Sequence, residues 1–249
     1  VADGGRAIVR PGKGVKNAQG TGIYVFNSGS ASCFGADFSF AKSQGARVFR
    51  GSYLNIREGN LSNAGTNGMY MGSSSIVEAM RVDLSNAGGR ALWAYGNGKV
   101  NVREGDLSNA GEEAIFAHFG AIVSAAYSNL SGAGKRGLVA TTKAIVDVNW
   151  GIVHDCAEEG LYAEYGGVIN GNRISVERCG GVAGVYSNLG GNIYVPQSTI
   201  KNNNLRAVYA NRGSFIALDH SDCSENGHSG RDIDVARGST IAANDTIGR

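Results

Sequence analysis

Residues 61–65 read LSNAG, the same five letters return at 84–88 and 107–111, and residues 130–134 read LSGAG. A fixed step of 23 residues marks a repeat array, in which each unit buries its apolar face only against its neighbours. Followed both ways from Leu61, the register passes through Val15, Phe38, Leu84, Leu107, Leu130, Val153 and Val176 at steps of 23. It then gains one residue and continues through Ile200, Cys223 and Thr246.

A second aliphatic series runs through Leu54, Val77, Val100, Val123, Val146, Ile169, Ile193, Ile216 and Ile241. Its flanks alternate, as in KVNVRE at 99–104, which is the period of a half-buried strand. A third series, Ile23, Met69, Leu92, Ile115, Leu138, Leu161, Val185 and Val208, opens short segments such as ALWAYG at 91–96. Each period therefore carries three short strands separated by Gly, Asn and Ser turns. Helices are a poor rival, because 39 glycines and frequent Ser, Asn and Val subtract helix propensity throughout. The expected fold is all-β: a right-handed parallel β-helix of about ten three-strand coils, one solenoid domain over 1–249. Like residues then stack on like. Leu61, Leu84, Leu107 and Leu130 form an internal column, each burial contributing about 2 kcal/mol. Asn63, Asn86 and Asn109 are expected at a left-handed bend, bonding to the turn above, and Gly65, Gly88, Gly111 and Gly134 where the chain reverses.

The chain has 42% apolar residues, enough for a substantial core, and 39 glycines against 2 prolines, which suits tight turns and excludes collagen or a proline-rich linker. The net charge of +2 is spread without a basic run, arguing against nucleic acid and anionic membrane as partners, and no apolar stretch is long enough to span a bilayer. The opening VADGGRAIVR lacks an initiator Met and a signal-like segment, so the chain is expected to be a fragment of a longer protein. Cys156 and Cys179 lie 23 apart and should stack, Cys223 sits on an inward position, and Cys33 is isolated. No metal-ligand spacing is present, so the cysteines read as small core hydrophobes with free thiols; a Cys156–Cys179 bridge stays open. Neither a metal nor a cofactor is expected.

Two outward columns carry the chemistry. The first follows the third series by one residue: Tyr24, Tyr70, Trp93, Phe116, Val139, Tyr162, Tyr186 and Tyr209. A stripe of large rings suits sugars, a subunit interface, or a stacking ladder that stiffens the sheet. The second reads Glu58, Arg81, Glu104, Tyr127, Trp150, Arg173, Gln197 and His220. Its first members alternate in charge, and Tyr127 and Trp150 followed by Arg173 can stack on a pyranose and grip a carboxylate or hydroxyl. Glycoside hydrolysis needs two carboxylates about 5–9 Å apart. The candidates are Asp155, Glu158, Glu159 and Glu164, whose ordinary reading is as water-exposed turn residues. His118, His154 and His220 are candidate bases without a partner fixed by spacing, and strand alternation sends the neighbours in LDHSDCS at 218–224 to opposite faces.

The coils GLYAEYGGVINGN at 160–172, AVYANRGSFIALDHSDCSENG at 207–227 and GRDIDVARGSTIAANDTIG at 230–248 resemble the β-helical repeats of bacteriophage tailspikes and tail fibres. The resemblance covers about 22–247, and β-helical adhesins and pectin-lyase-like enzymes share its stacking rules. It implies a homotrimer on the virion tail, extracellular when functional, that recognises a bacterial surface polysaccharide, often with hydrolase, lyase or deacetylase activity. No catalytic motif carries over residue by residue, and the coils lack the long loops of the enzymatic members apart from GHSGR at 227–231. A non-catalytic receptor-binding segment, a polysaccharide depolymerase and an adhesin passenger are the competing functions.

Overall fold

The computed structural model of the chain describes residues 2–227 and 232–247, and within them the 23-residue period winds into a parallel β-helix. Two 11-stranded parallel sheets run its length. The first includes Leu92–Tyr95, Ile115–His118 and Leu138–Thr141; the second includes Lys99–Asn101, Ile122–Ser124 and Ile145–Asp147. Each strand inside these two sheets pairs in register with the equivalent residues of the coils on either side, Ile115 with Leu92 and Leu138 for example. At about 4.8 Å per rung the rod is roughly 48 Å long. All three aliphatic series point inward. Leu61, Leu84, Leu107, Leu130, Val77, Val123, Leu92 and Ile115 are all buried.

The third sheet departs from three full strands per coil. It has only Ile152–His154, Ser175–Glu177 and Thr199–Lys201. Elsewhere it shrinks to single bridges through Asp37, Asn60, Asp83, Asp106, Asn129 and Asp222. The cause is the residue itself. Each of these side chains accepts the backbone N–H two positions on, Ser85 to Asp83 at 2.9 Å and Ser108 to Asp106 at 3.1 Å, for example, closing an Asx turn that competes with continued pairing. Ile152, Ser175 and Thr199 lack the carboxyl or amide that closes it, and the strand extends.

Three further expectations are adjusted. Val15 is more than half exposed and Thr246 half-buried, because the terminal coils close less completely. Asn63, Asn86 and Asn109 do adopt φ near 56°, but the amides of Asn63 and Asn86 bond to the serine of their own turn, Ser62 and Ser85, at 2.9 and 3.1 Å. Gly65, Gly88, Gly111 and Gly134 do not need a left-handed φ. A Cβ on Gly111 would collide with the carbonyl oxygen of Gly88 beneath it, and one on Gly134 with that of Gly111. Their role is close approach between rungs. All four cysteines are buried and free; burial pushes the Cys33 thiol up to about 11 and that of Cys223 to about 12. Cys156 is also raised, by its hydrogen-bonded neighbour Cys179 and by burial. The GHSGR segment lies mostly outside the described residues.

Candidate functional site

Strand alternation turns two columns of the first sheet outward. One is the aromatic stripe, interrupted by Arg47 between Tyr24 and Tyr70. The other, two residues further on, carries Phe26, Phe49, Tyr95 and His118. The two columns interlock. Tyr70 lies 4.6 Å from Trp93 and 5.6 Å from Tyr95, and Trp93 meets Phe116 edge-on at 6.2 Å. Further along, Tyr162 meets Tyr186 edge-on at 5.3 Å, and Tyr186 stacks on Tyr209 at 5.1 Å. Arginines lie across the rings: Arg90 at 4.6 Å from Trp93 and 4.3 Å from Phe116, Arg136 at 4.5 Å from Tyr162. The stripe is therefore half-buried, and Val139 and Tyr162 are fully so. Ladder packing removes much of the cost of showing these rings to water.

The ladder opens at Phe119, which is 58% exposed at a left-handed corner with φ 49°. Together with Tyr70, Trp93, Tyr95 and His118 it lines an aromatic cleft of about 250 Å³. Trp93 Nε1–H donates to His118 Nε2 at 3.1 Å, leaving the His118 proton on Nδ1. Burial first, and the Arg90 charge second, hold the His118 pKa below its ordinary value, so the imidazole is neutral at pH 7. A neutral imidazole among rings suits a polar, uncharged ligand such as a sugar hydroxyl.

The second outward column forms a corner. Glu58, Arg81, Glu104, Tyr127, Trp150, Arg173, Gln197 and His220 all take φ between 54° and 61°. Arg81 pairs with Glu58 and lies 4.0 Å from Glu104, exposed contacts of small net value. Tyr127 and Trp150 are parallel within 8° at 6.0 Å, Arg103 lies 5.7 Å from Tyr127, and Arg173 lies 4.6 Å from Trp150. Both ring faces are thus occupied, leaving edges, about half exposed, to meet a ligand. Arg173 Nε donates to Gln197 Oε1 at 2.7 Å.

The candidate carboxylates are all engaged by neighbouring side chains. Asp155 accepts two bonds from Arg178, at 2.7 and 2.8 Å, which hold its pKa below the usual range. Glu159 is buried against Arg136 at 2.6 Å, and its neighbour Glu158 meets the same guanidinium at 3.0 Å. Glu164 accepts the Tyr162 hydroxyl at 2.9 Å; burial pushes that hydroxyl up to about 12, so it remains a donor. His154 Nε2 contacts Ser175 Oγ at 2.9 Å, His220 faces Asp245 at 3.5 Å, and Asp222 pairs with Lys201 at 2.7 Å. Among the described residues no cluster of three or more His, Cys, Asp or Glu side chains fits a metal.

Sequence reasoning did not single out Arg47, Phe49, Tyr95 and Phe119. The signal was present: Phe26, Phe49, Tyr95 and His118 share the 23-residue step, two positions after the stripe. Another outward column, on the second sheet, carries Tyr53, Ile76, Lys99, Ile122 and Ile145, its four apolar members each 38–46% exposed.

A family model described as right handed beta helix region matches residues 22–183. Curated protein sequences gave no match. The crystal structure of pectate lyase Pel9A aligns with a TM-score of 0.54 at 15% identity, over 100% of this chain and 71% of that one, which establishes a shared fold. The periplasmic alginate epimerase AlgG aligns over 92% of this chain and 79% of its own, at 10% identity and a TM-score of 0.42.

Proposed function

The chain belongs to the right-handed β-helix family, and on that premise we propose that it is a phage tailspike or tail-fibre segment whose rod binds a bacterial surface polysaccharide. The observation carrying the reading is the aromatic cleft of Tyr70, Trp93, Tyr95, His118 and Phe119, which opens to solvent at Phe119. Ring faces take the C–H side of a pyranose, and the neutral His118 offers hydrogen bonding to its hydroxyls. No catalytic step belongs to this reading, since Asp155, Glu159 and Glu164 are each tied to a different partner. The assembly proposed with it is a homotrimer, as the tail-protein resemblance implies, working outside the cell on the virion.

The test is binding of the purified chain to a panel of capsular and O-antigen polysaccharides by calorimetry. Phe119→Ser and Trp93→Ala should each weaken the best ligand about tenfold, or 1.4 kcal/mol. Indifference to both substitutions, or no ligand in a broad panel, overturns the proposal. Release of reducing ends or unsaturated sugars would make it a depolymerase instead.

A further inference from the structure

Four arginines lie over the rings of the first sheet, and three of them are neutralised within the chain. Arg90 meets Glu113 at 2.7 Å, Arg136 meets Glu159 at 2.6 Å, and Arg206 meets Asp234 at 3.0 Å. Arg47 is different. Its guanidinium is caged by Phe49 at 5.1 Å, Tyr24 at 5.2 Å and Tyr70 at 5.7 Å, and no Asp or Glu among the described residues reaches it. Its Nε–H is buried and meets no acceptor. Arg50, at the left-handed corner three residues on, also meets no carboxylate among the described residues; its Nη1 donates to the Asn27 amide oxygen at 3.1 Å.

Both cations border one cleft of about 370 Å³, which Tyr95 and Phe49 also line. Gly72 interrupts the column between Phe49 and Tyr95. A Cβ on Gly72 would lie 2.5 Å from Tyr95 Cε1, so the tyrosine ring leans across the vacant rung. A half-buried guanidinium has lost part of its hydration, and the cage rings return only some of it. A planar or tetrahedral anion with two oxygens to match the fork would supply what the other three arginines obtain from their own chain.

We infer that the cleft around Arg47 and Arg50 binds the anionic substituent, carboxylate or sulfate, of a sugar whose ring packs on the half-exposed Phe26 and Tyr95. The inference rests on the polysaccharide reading above and narrows it to an acidic glycan, bound in a cleft that adjoins the Phe119 cleft and shares Tyr95 with it.

The experiment titrates the full chain with methyl glucuronide, methyl glucoside and sodium sulfate at matched ionic strength, followed by amide chemical shifts. The glucuronide should bind at least tenfold more tightly than the glucoside. Arg47→Gln should remove that preference and leave the glucoside unchanged. Arg50→Gln, at an exposed position that folding does not depend on, should reduce it severalfold. Equal affinity for the two sugars, or a preference that survives both substitutions, overturns the inference. Sulfate binding that Arg47→Gln abolishes, with neither sugar bound, would sink the glycan reading and leave a bare anion site.

Discussion

Gly111 carries a constraint that its own backbone does not display. With an ordinary φ, it is fixed by the Gly88 carbonyl beneath it, whereas Gly190 has φ 76° and open space around its Cα. Gly111→Ala should destabilise the fold by about 1–3 kcal/mol through a backbone shift. Gly190→Ala should cost about 1 kcal/mol, the left-handed penalty alone. Urea melts of the two variants compare them, and a smaller loss at Gly111 would reject the close-approach account. His118 gives a second test at this scale. Its folded pKa is depressed, so its contribution to stability is complete above the unfolded value of about 6.5 and is lost as pH falls below it. The loss levels off below the folded pKa. Thermal melts from pH 7.5 to 5 should show this slope in the wild type and a shallower one in His118→Gln.

At the scale of the element, the third sheet shows one side chain deciding between strand and turn. Asn60 and Asn129 close the same turn as Asp106, accepting Ser62 and Ser131 N–H groups at 3.0 and 3.1 Å. Geometry, not charge, is therefore what the position requires. Asp106→Ala should lose about 1 kcal/mol by leaving the Ser108 N–H without its acceptor, and Asp106→Asn should be close to neutral. Equal losses in equilibrium unfolding would mean that the charge matters instead.

For the whole molecule, the proposed trimer sets a mass of three times the 25.8 kDa chain in light scattering. The exposed aliphatic column of the second sheet lacks the arginine and ring cover of the aromatic ladder, so it offers more apolar area for subunit contact. The double change Ile122→Lys with Ile145→Lys should split the assembly while the coils still stack, because both side chains point outward. The triple change of Tyr70, Trp93 and Phe116 to Ser should weaken glycan binding and leave the mass unchanged. A wild-type monomer rejects the trimer, and a monomeric triple variant returns the interface to the aromatic stripe.

The 23-residue step by itself determined the parallel stacking, the three inward series and the outward direction of Tyr70, Trp93, Tyr127 and Trp150. Stacking in register converts spacing directly into position, so the columns can be read from letters alone. Which outward residues remain available was decided only in three dimensions. Exposure depends on what a neighbouring column lays across a ring: Arg90 covers Trp93 and Phe116, Arg103 and Arg173 sandwich Tyr127 and Trp150, and Phe119 stays open. The same holds for charge. Arg47 and Arg90 both precede an aromatic residue by two or three positions in the sequence, but Glu113 stacks one rung above Arg90, whereas among the described residues no carboxylate comes within reach of Arg47. Pairing of this kind is a matter of distance between coils, and distance is what the fold adds.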